Sequence, residues 1–396
     1  MASDTLAGPP ARAAGGRGSV EPLQRQVERL LERLRLAVVF GGDKAAPGAV
    51  INPTISTRSW KSYQAVAEDI AGALQRIGFR QVELMPDDMR LGERLRRERI
   101  HFAWLNTGGV QGYNPACHAP AMLEMFGIPY VGHDPLIATT LDNKHTFKRE
   151  LTGAGIPTAP FMTWHLARGA FLPKMNSRFA RVFGEYTGPF VVKPVSGRAS
   201  LHVHVVEDVR DLPDAVEEVF IATENLVMIE SFLPGREFCV AVCGPVTARG
   251  FDFTRHSVPF AFSMLERVFG PDEKIFTSMD VRPICADRFR PLAAADAAVV
   301  SELRMLARDV FLEFNLGSLI RLDVRADAAG RLLILEANLK PDLKRPGDDT
   351  TSLVCAGLDQ HAMSYDDLIL SLFADRFDTL QTQRRPSVRH VLDLLE

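Results

Sequence analysis

Apolar residues along this chain follow two rhythms. Residues 36–40 (LAVVF), 82–85 (VELM) and 101–105 (HFAWL) are short, nearly unbroken apolar runs, the pattern of strands buried on both faces. Residues 60–77 and 93–99 lie between them with helical patterning, the second strongly charged. Strand and helix alternate, which predicts a parallel, doubly wound sheet in the first third of the chain. A loop over 106–120, a helix over 120–126, a strand over 129–132 and a helix over 140–151 complete this unit, and Gly153 and Gly155 end it. Ahead of it, residues 20–34 read as an amphipathic helix that packs on the body or on a partner. Residues 1–18, rich in Ala, Gly and Pro, read as a disordered tail.

After Pro157 the pattern becomes that of a small α+β block. Residues 190–194 (FVVKP), 203–206, 226–230 (LVMIE) and 237–242 read as strands, with a helix at 212–221. The last third carries helices at 299–314 and 365–373. Between them residues 319–341 (LIRLDVRADAAGRLLILEANLKP) read as a hairpin turning at Asp327-Ala328-Ala329-Gly330. Pairing Ala326 with Arg331 puts Arg321, Asp323, Glu336 and Asn338 on one face and Leu322, Val324, Leu333 and Leu335 on the other. Two carboxylates and an amide oxygen are hard ligands of the kind Mg²⁺ takes in nucleotide sites. The alternative is an ordinary hairpin with a solvated polar face.

Composition narrows the function classes. A chain of 396 residues has room for two or three domains. A net charge of −3 gives no basic footprint for nucleic acid. No apolar run approaches the ~18 residues of a membrane span, and the first residues lack the apolar core of a secretory signal. Five scattered cysteines fit neither a disulfide framework nor a zinc spacing. Cys239 and Cys243 lie in an apolar run and read as core packing. A cytoplasmic setting is expected, and a homodimer is the default assembly.

Several segments, taken in order, resemble the ATP-grasp superfamily, and within it the D-alanine–D-alanine ligase branch. They are Gly127-Ile128-Pro129-Tyr130-Val131-Gly132, Leu141-Asp142-Asn143-Lys144 with Gly155-Ile156-Pro157-Thr158, Val192-Lys193-Pro194, Glu230 with Gly235-Arg236-Glu237-Phe238, Arg321-Leu322-Asp323, and Glu336-Ala337-Asn338. The resemblance spans about residues 36–372. It implies a three-domain fold, α/β and α+β, with ATP between two antiparallel sheets. The divisions are then an N-terminal domain over 35–155, a central subdomain over 156–240 and a C-terminal subdomain over 241–396. It also implies an ADP-forming carboxylate–amine ligase working through an acyl phosphate.

Under this resemblance Lys144 and Lys193 hold ATP phosphates, Glu230 accepts from the adenine amino group and Glu237 from ribose hydroxyls. Ser196 opens the phosphate loop. Lys274 closes over the phosphates from a mobile loop. Asp323, Glu336 and Asn338 hold one or two Mg²⁺ ions, with Mn²⁺ an alternative, and Arg321 stabilises the tetrahedral oxyanion. The competing reading of Arg321 is a salt bridge to Glu336, and that of the two nucleotide carboxylates is capping or ion pairing.

The chain departs from the resemblance where substrates bind. Residues 196–202 (SGRASLH) replace a GSSxG phosphate loop, residues 43–48 replace an acidic loop, and residues 106–114 replace an HGxxGEDG signature. A small serine-containing turn gives way to residues 340–347 (KPDLKRPG), whose Lys340, Lys344 and Arg345 suit an anionic acceptor. The substrates are thus expected to be amino-acid-like but not D-alanine, in specialised metabolism. Two other readings use the same residues: a kinase that stops at phosphoryl transfer, and a nucleotide-binding module without turnover. Gly41-Gly42 alone falls far short of a dinucleotide fingerprint.

Overall fold

A computed structural model describes residues 22–43, 45–51, 63–112, 114–197, 200–270, 273–275, 285–347 and 352–396. The expected tail, residues 198–199 of the phosphate loop and part of the Lys274 loop lie outside these residues.

Helix α1 (Leu23–Arg33) leads into β1 (Arg35–Gly41), α2 (Gln64–Ile77), β2 (Gln81–Asp87), α3 (Leu91–Arg97), β3 (Phe102–Asn106), α4 (His118–Met125), β4 (Tyr130–Val131), α5 (Pro135–Asp142) and α6 (Lys144–Gly153). The four strands form one parallel sheet in the order β2-β1-β3-β4. The unbroken apolar run of β1 follows from its position. Leu36 and Val38 join a core with α1 and α2, while Ala37 and Val39 join a second core with Leu91, Leu95 and Leu123. Both faces are covered, as a parallel sheet requires. Helix α1 packs on the body of the chain, with Val27, Leu30 and Leu34 fully buried.

A second sheet contains β5 (Phe161–Trp164), β6 (Phe190–Pro194), β7 (His204–Val206) and β8 (Val227–Ser231), in the antiparallel order β5-β8-β6-β7. Helices α7 (Ser177–Phe183) and α8 (Leu212–Thr223) cover one face through Phe179, Phe183, Val216 and Val219.

Next come β9 (Glu237–Cys243), the ribbon β10 (Val246–Arg249) and β11 (Asp252–Arg255), β12 (Phe260–Arg267), β13 (Phe289–Pro291), α9 (Ala297–Glu313), β14 (Ile320–Ala326), β15 (Leu332–Asn338) and α10 (Tyr365–Gln383). A third, antiparallel sheet runs β13-β12-β9-β14-β15. Strand β9 crosses position 240 and belongs wholly to this sheet, so a division at 240 would cut through it. Phe238, Val240, Val242, Ile320, Leu322 and Val324 pack with α9, which leaves the opposite face for polar side chains. Helix α10 runs ten residues past the expected end at 373 and packs against the first sheet through Phe373 and Phe377. Ser364 and Asp367 form its capping box.

The β14–β15 pairing differs from the expected register. Ala326 faces Leu332, not Arg331, because Asp327 to Gly330 forms a turn with Gly330 at φ +82° and Asp327 N–H bonded to the Arg331 carbonyl. A bulge at Leu335 then shifts the phase, so Asp323 faces Glu336 and Arg321 faces Asn338. The four polar residues do share a face. The apolar residues that face the core are Leu332, Ile334 and Ala337, whereas Leu333 and Leu335 are only partly buried.

Candidate active site

A cavity between the second and third sheets is lined by Lys144, Lys193, Glu230, Glu237, Arg267, Asp323, Arg325 and Glu336, with Phe232, Leu335 and backbone near Gly197. Lys144 is placed by its neighbour. Asn143 caps α6 by accepting from Thr146 N–H and bridges to Ser196 in the phosphate loop. Lys144 Nζ donates to the Gly197 carbonyl at 2.7 Å and lies 3.4 Å from Glu336 Oε2. The Ser196 carbonyl accepts from Asn225.

Glu230 does not present a free carboxylate for adenine. Its Oε1 accepts from Lys193, and its Oε2 lies 3.0 Å from Lys148 Nζ. Glu230, Lys193 and Lys148 are all buried. Burial alone would raise the Glu230 pKa, but Lys148 and Lys193 outweigh it and hold the carboxyl down at about 2. Burial pushes Lys148 the other way, below the usual lysine range, against the pull of Glu230. Lys148 sits one helical turn after Lys144 and also faces the Phe161 ring at 5.4 Å.

Glu237 is likewise occupied. It lies between Arg267 and Arg325 in one row across β12, β9 and β14. Arg267 Nη1 donates to Oε1 at 2.6 Å and Arg325 Nη1 approaches Oε2 at 3.4 Å. Cross-strand neighbours of opposite charge on one face explain the contact. Arg325 is held between the Phe232 and Phe269 rings, at 4.8 and 4.9 Å, and donates to the Lys274 carbonyl at 2.9 Å.

Arg321 pairs with Asp323 rather than Glu336. Its Nε and Nη2 donate to Oδ1 and Oδ2 at 2.8 and 3.0 Å. Arg267 Nη2 lies 3.0 Å from Asp323 Oδ2, and Asn338 Nδ2 donates to the same oxygen at 3.2 Å. Asp323 is 3% exposed, and burial would raise its pKa, but Arg267 and Arg321 hold it below the ordinary range. Among the described residues no group of three or more His, Cys, Asp or Glu side chains is gathered as a metal site. The donor chemistry suits a hard cation at Glu336, a half-buried carboxylate, and at the Asn338 amide oxygen, but not at Asp323, whose oxygens are committed to guanidinium and amide donors.

A family profile described as "D-ala D-ala ligase C-terminus" matches residues 151–374, more than half of the chain. This chain belongs to the D-Ala–D-Ala ligase family. The D-alanine–D-alanine ligase of Halorhodospira halophila is 28% identical over 343 residues, covering 86% of this chain and 95% of that protein. An uncharacterized protein, y4sG of Sinorhizobium fredii, is 27% identical over 253 residues, 63% of this chain and 68% of its own length. A solved D-alanine–D-alanine ligase from Coxiella burnetii superposes with a TM-score of 0.62 at 17% identity, covering 92% of this chain and 99% of that one. The Bacillus anthracis enzyme complexed with ATP superposes at 0.58 with 18% identity, over 87% and 98%. These structures share the three-domain ATP-grasp fold. The chain is an ATP-dependent, amide-bond-forming ligase of this family.

Against this family background the remaining expected site residues fall in two groups. Lys274 turns its ammonium away to Glu207 beyond β7, and only its carbonyl meets the cavity wall through Arg325. Lys344 Nζ binds Asp69 of α2 at 2.6 Å, and the Arg345 backbone N–H uses the same carboxylate. Lys340 lies over the Tyr63 ring at 3.4 Å, so these residues join the third sheet to the first. Among the described residues no helix is long and apolar enough to cross a membrane. Lys148, Arg267 and Arg325 were not read from the sequence. The signals were present: Lys148 is four residues after Lys144, and Arg325 continues the alternation of Arg321 and Asp323.

Proposed function

We propose that this ligase joins an amino-acid-like carboxylate other than D-alanine to an amine, in specialised metabolism. A substrate carboxylate oxygen attacks the γ-phosphorus of ATP, ADP leaves, and an acyl phosphate forms. The amine nitrogen then attacks the acyl carbon, phosphate leaves, and the nitrogen loses a proton. The observation that carries this reading is the placement of Arg321, Asp323, Glu336 and Asn338 on one face of β14–β15, with Glu336 and Asp323 lining the cavity that Lys144 and Lys193 enter. A guanidinium beside that set suits the oxyanion of acyl transfer, which phosphoryl transfer alone does not require.

Residues 106–114 and 340–347 differ from the family pattern and support a substrate other than D-alanine. Glu336 and Asn338 would hold Mg²⁺, which would offset phosphate charge when bound. Lys144 and Lys193 would hold the phosphate oxygens. Glu230 orients Lys193 and Lys148, so the base would be read by other groups.

The test is ADP release with Mg²⁺ and ATP across D- and L-amino acids paired with small amines, with hydroxylamine as the trap. Amine-dependent ADP release and a hydroxamate product support the ligase. A stable phosphorylated product unaffected by amines sinks it.

A further inference from the structure

Asp323 and Glu237 are 86 positions apart in sequence, yet one guanidinium holds both. Arg267 ends β12, and its two Nη atoms reach Glu237 Oε1 at 2.6 Å and Asp323 Oδ2 at 3.0 Å. The contact is set by strand register. Arg267 is directly opposite Glu237, and Asp323 is opposite Cys239 two residues along β9 on the same face. Arg267 is buried and lines the cavity.

Asp323 meets four N–H donors, two from Arg321, one from Arg267 and one from Asn338. A cation that took Asp323 would strip Arg267 and Arg321 of a buried counter-charge and set a divalent ion beside two guanidinium groups. Glu336 has the opposite character. It is partly exposed, and its ion pair to Lys144 is long at 3.4 Å.

We infer that Asp323 is not a metal ligand and that the Arg267 guanidinium takes the charge role of a second divalent ion, so that nucleotide binds with a single ion at Glu336 and Asn338. Asp323 is then a positioning residue that fixes Arg321 and Arg267 over the cavity. The inference rests on the ATP-binding part of the ligase reading and not on amide formation.

The test counts Mn²⁺ by electron paramagnetic resonance on the full chain, with the non-hydrolysable analogue AMP-PNP limiting and protein in excess. The expected count is one Mn²⁺ per nucleotide. Asp323→Asn should leave the count at one and shift the Mn²⁺ dissociation constant by no more than about twofold, whereas Glu336→Gln should weaken it at least tenfold. Two ions per nucleotide in the unaltered protein, or a tenfold loss in Asp323→Asn with an unchanged circular dichroism spectrum, overturns the inference. The count in the unaltered protein needs no variant to fold. If one ion is counted but no amine supports ADP release, the ligase reading fails while this inference stands.

Discussion

Arg267 lies 3.0 Å from Asp323 while its other Nη atom donates to Glu237, so a single side chain balances two buried carboxylates. Each of them would stand without that charge if Arg267 were lost. Breaking a buried pair by removing one partner costs about 3–5 kcal/mol. Arg267→Met should therefore lower unfolding stability by that order in urea titrations. Arg267→Lys, which keeps the charge but cannot span both carboxylates, should fall between. A loss under about 1 kcal/mol for Arg267→Met would show that the contact carries little energy.

Glu230 gives a pH signature. Its folded pKa, about 2, lies below the unfolded carboxylate value of about 4.3. The unfolded chain takes up the proton first as pH falls, so the stabilisation is complete above about pH 5 and is lost toward pH 2. The integrated loss is about 3 kcal/mol. Chemical unfolding at a series of acid pH values should show this decline, and Glu230→Gln should flatten it while lowering stability at neutral pH. An acid limb unchanged in Glu230→Gln refutes the assignment.

Asp87 has the opposite sign. It is buried at the end of β2 and accepts from Thr107 Oγ1 at 2.7 Å. Burial raises its pKa to about 6, with Thr107 opposing. The folded chain keeps the proton after the unfolded chain has lost it, so stability falls as pH rises from about 4 to about 6. Asp87→Asn should remove that fall and raise stability at pH 7 by about 3 kcal/mol, read by thermal or urea unfolding. A variant less stable than the parent at pH 7 would show that the carboxyl is needed charged.

Glu336→Gln tests the site with little risk to the fold, because the side chain is only partly buried. Amine-dependent ADP release should drop by at least about 100-fold, a loss of about 3 kcal/mol in transition-state stabilisation. The unfolding midpoint should stay within a few degrees. Near-normal turnover would remove Glu336 from the ion site.

How far the sequence could be read depended on the range of the interactions. The strand at Leu36 to Phe40 was legible because burial on both faces leaves a continuous apolar run. The shared face of Arg321, Asp323, Glu336 and Asn338 was also legible, but by a register two residues out at that end, one from the turn and one from the bulge at Leu335, which has no apolar signature of its own. The ion pairs of Glu230 and Glu237 were not legible, for a different reason. Their partners, Lys148, Arg267 and Arg325, lie 82, 30 and 88 residues away, and local periodicity carries no information on such pairings. Strands β10 to β13 were missed because they are short or lack clean alternation. The full length of α10 was missed because burial on most sides blurs its amphipathic stripe.

The extra residue at Leu335 makes strand β15 read in two frames. Up to Ile334 the even-numbered positions point toward α9, and from Glu336 onward they point at the cavity. Without that offset, a ribbon long enough to anchor its hairpin in the core would send Glu336 at its open end into the oil. Sequence length between Gly330 and Glu336 is thereby quantised: a change of one residue would exchange the anchoring half for the reactive half, whereas a change of two would preserve both.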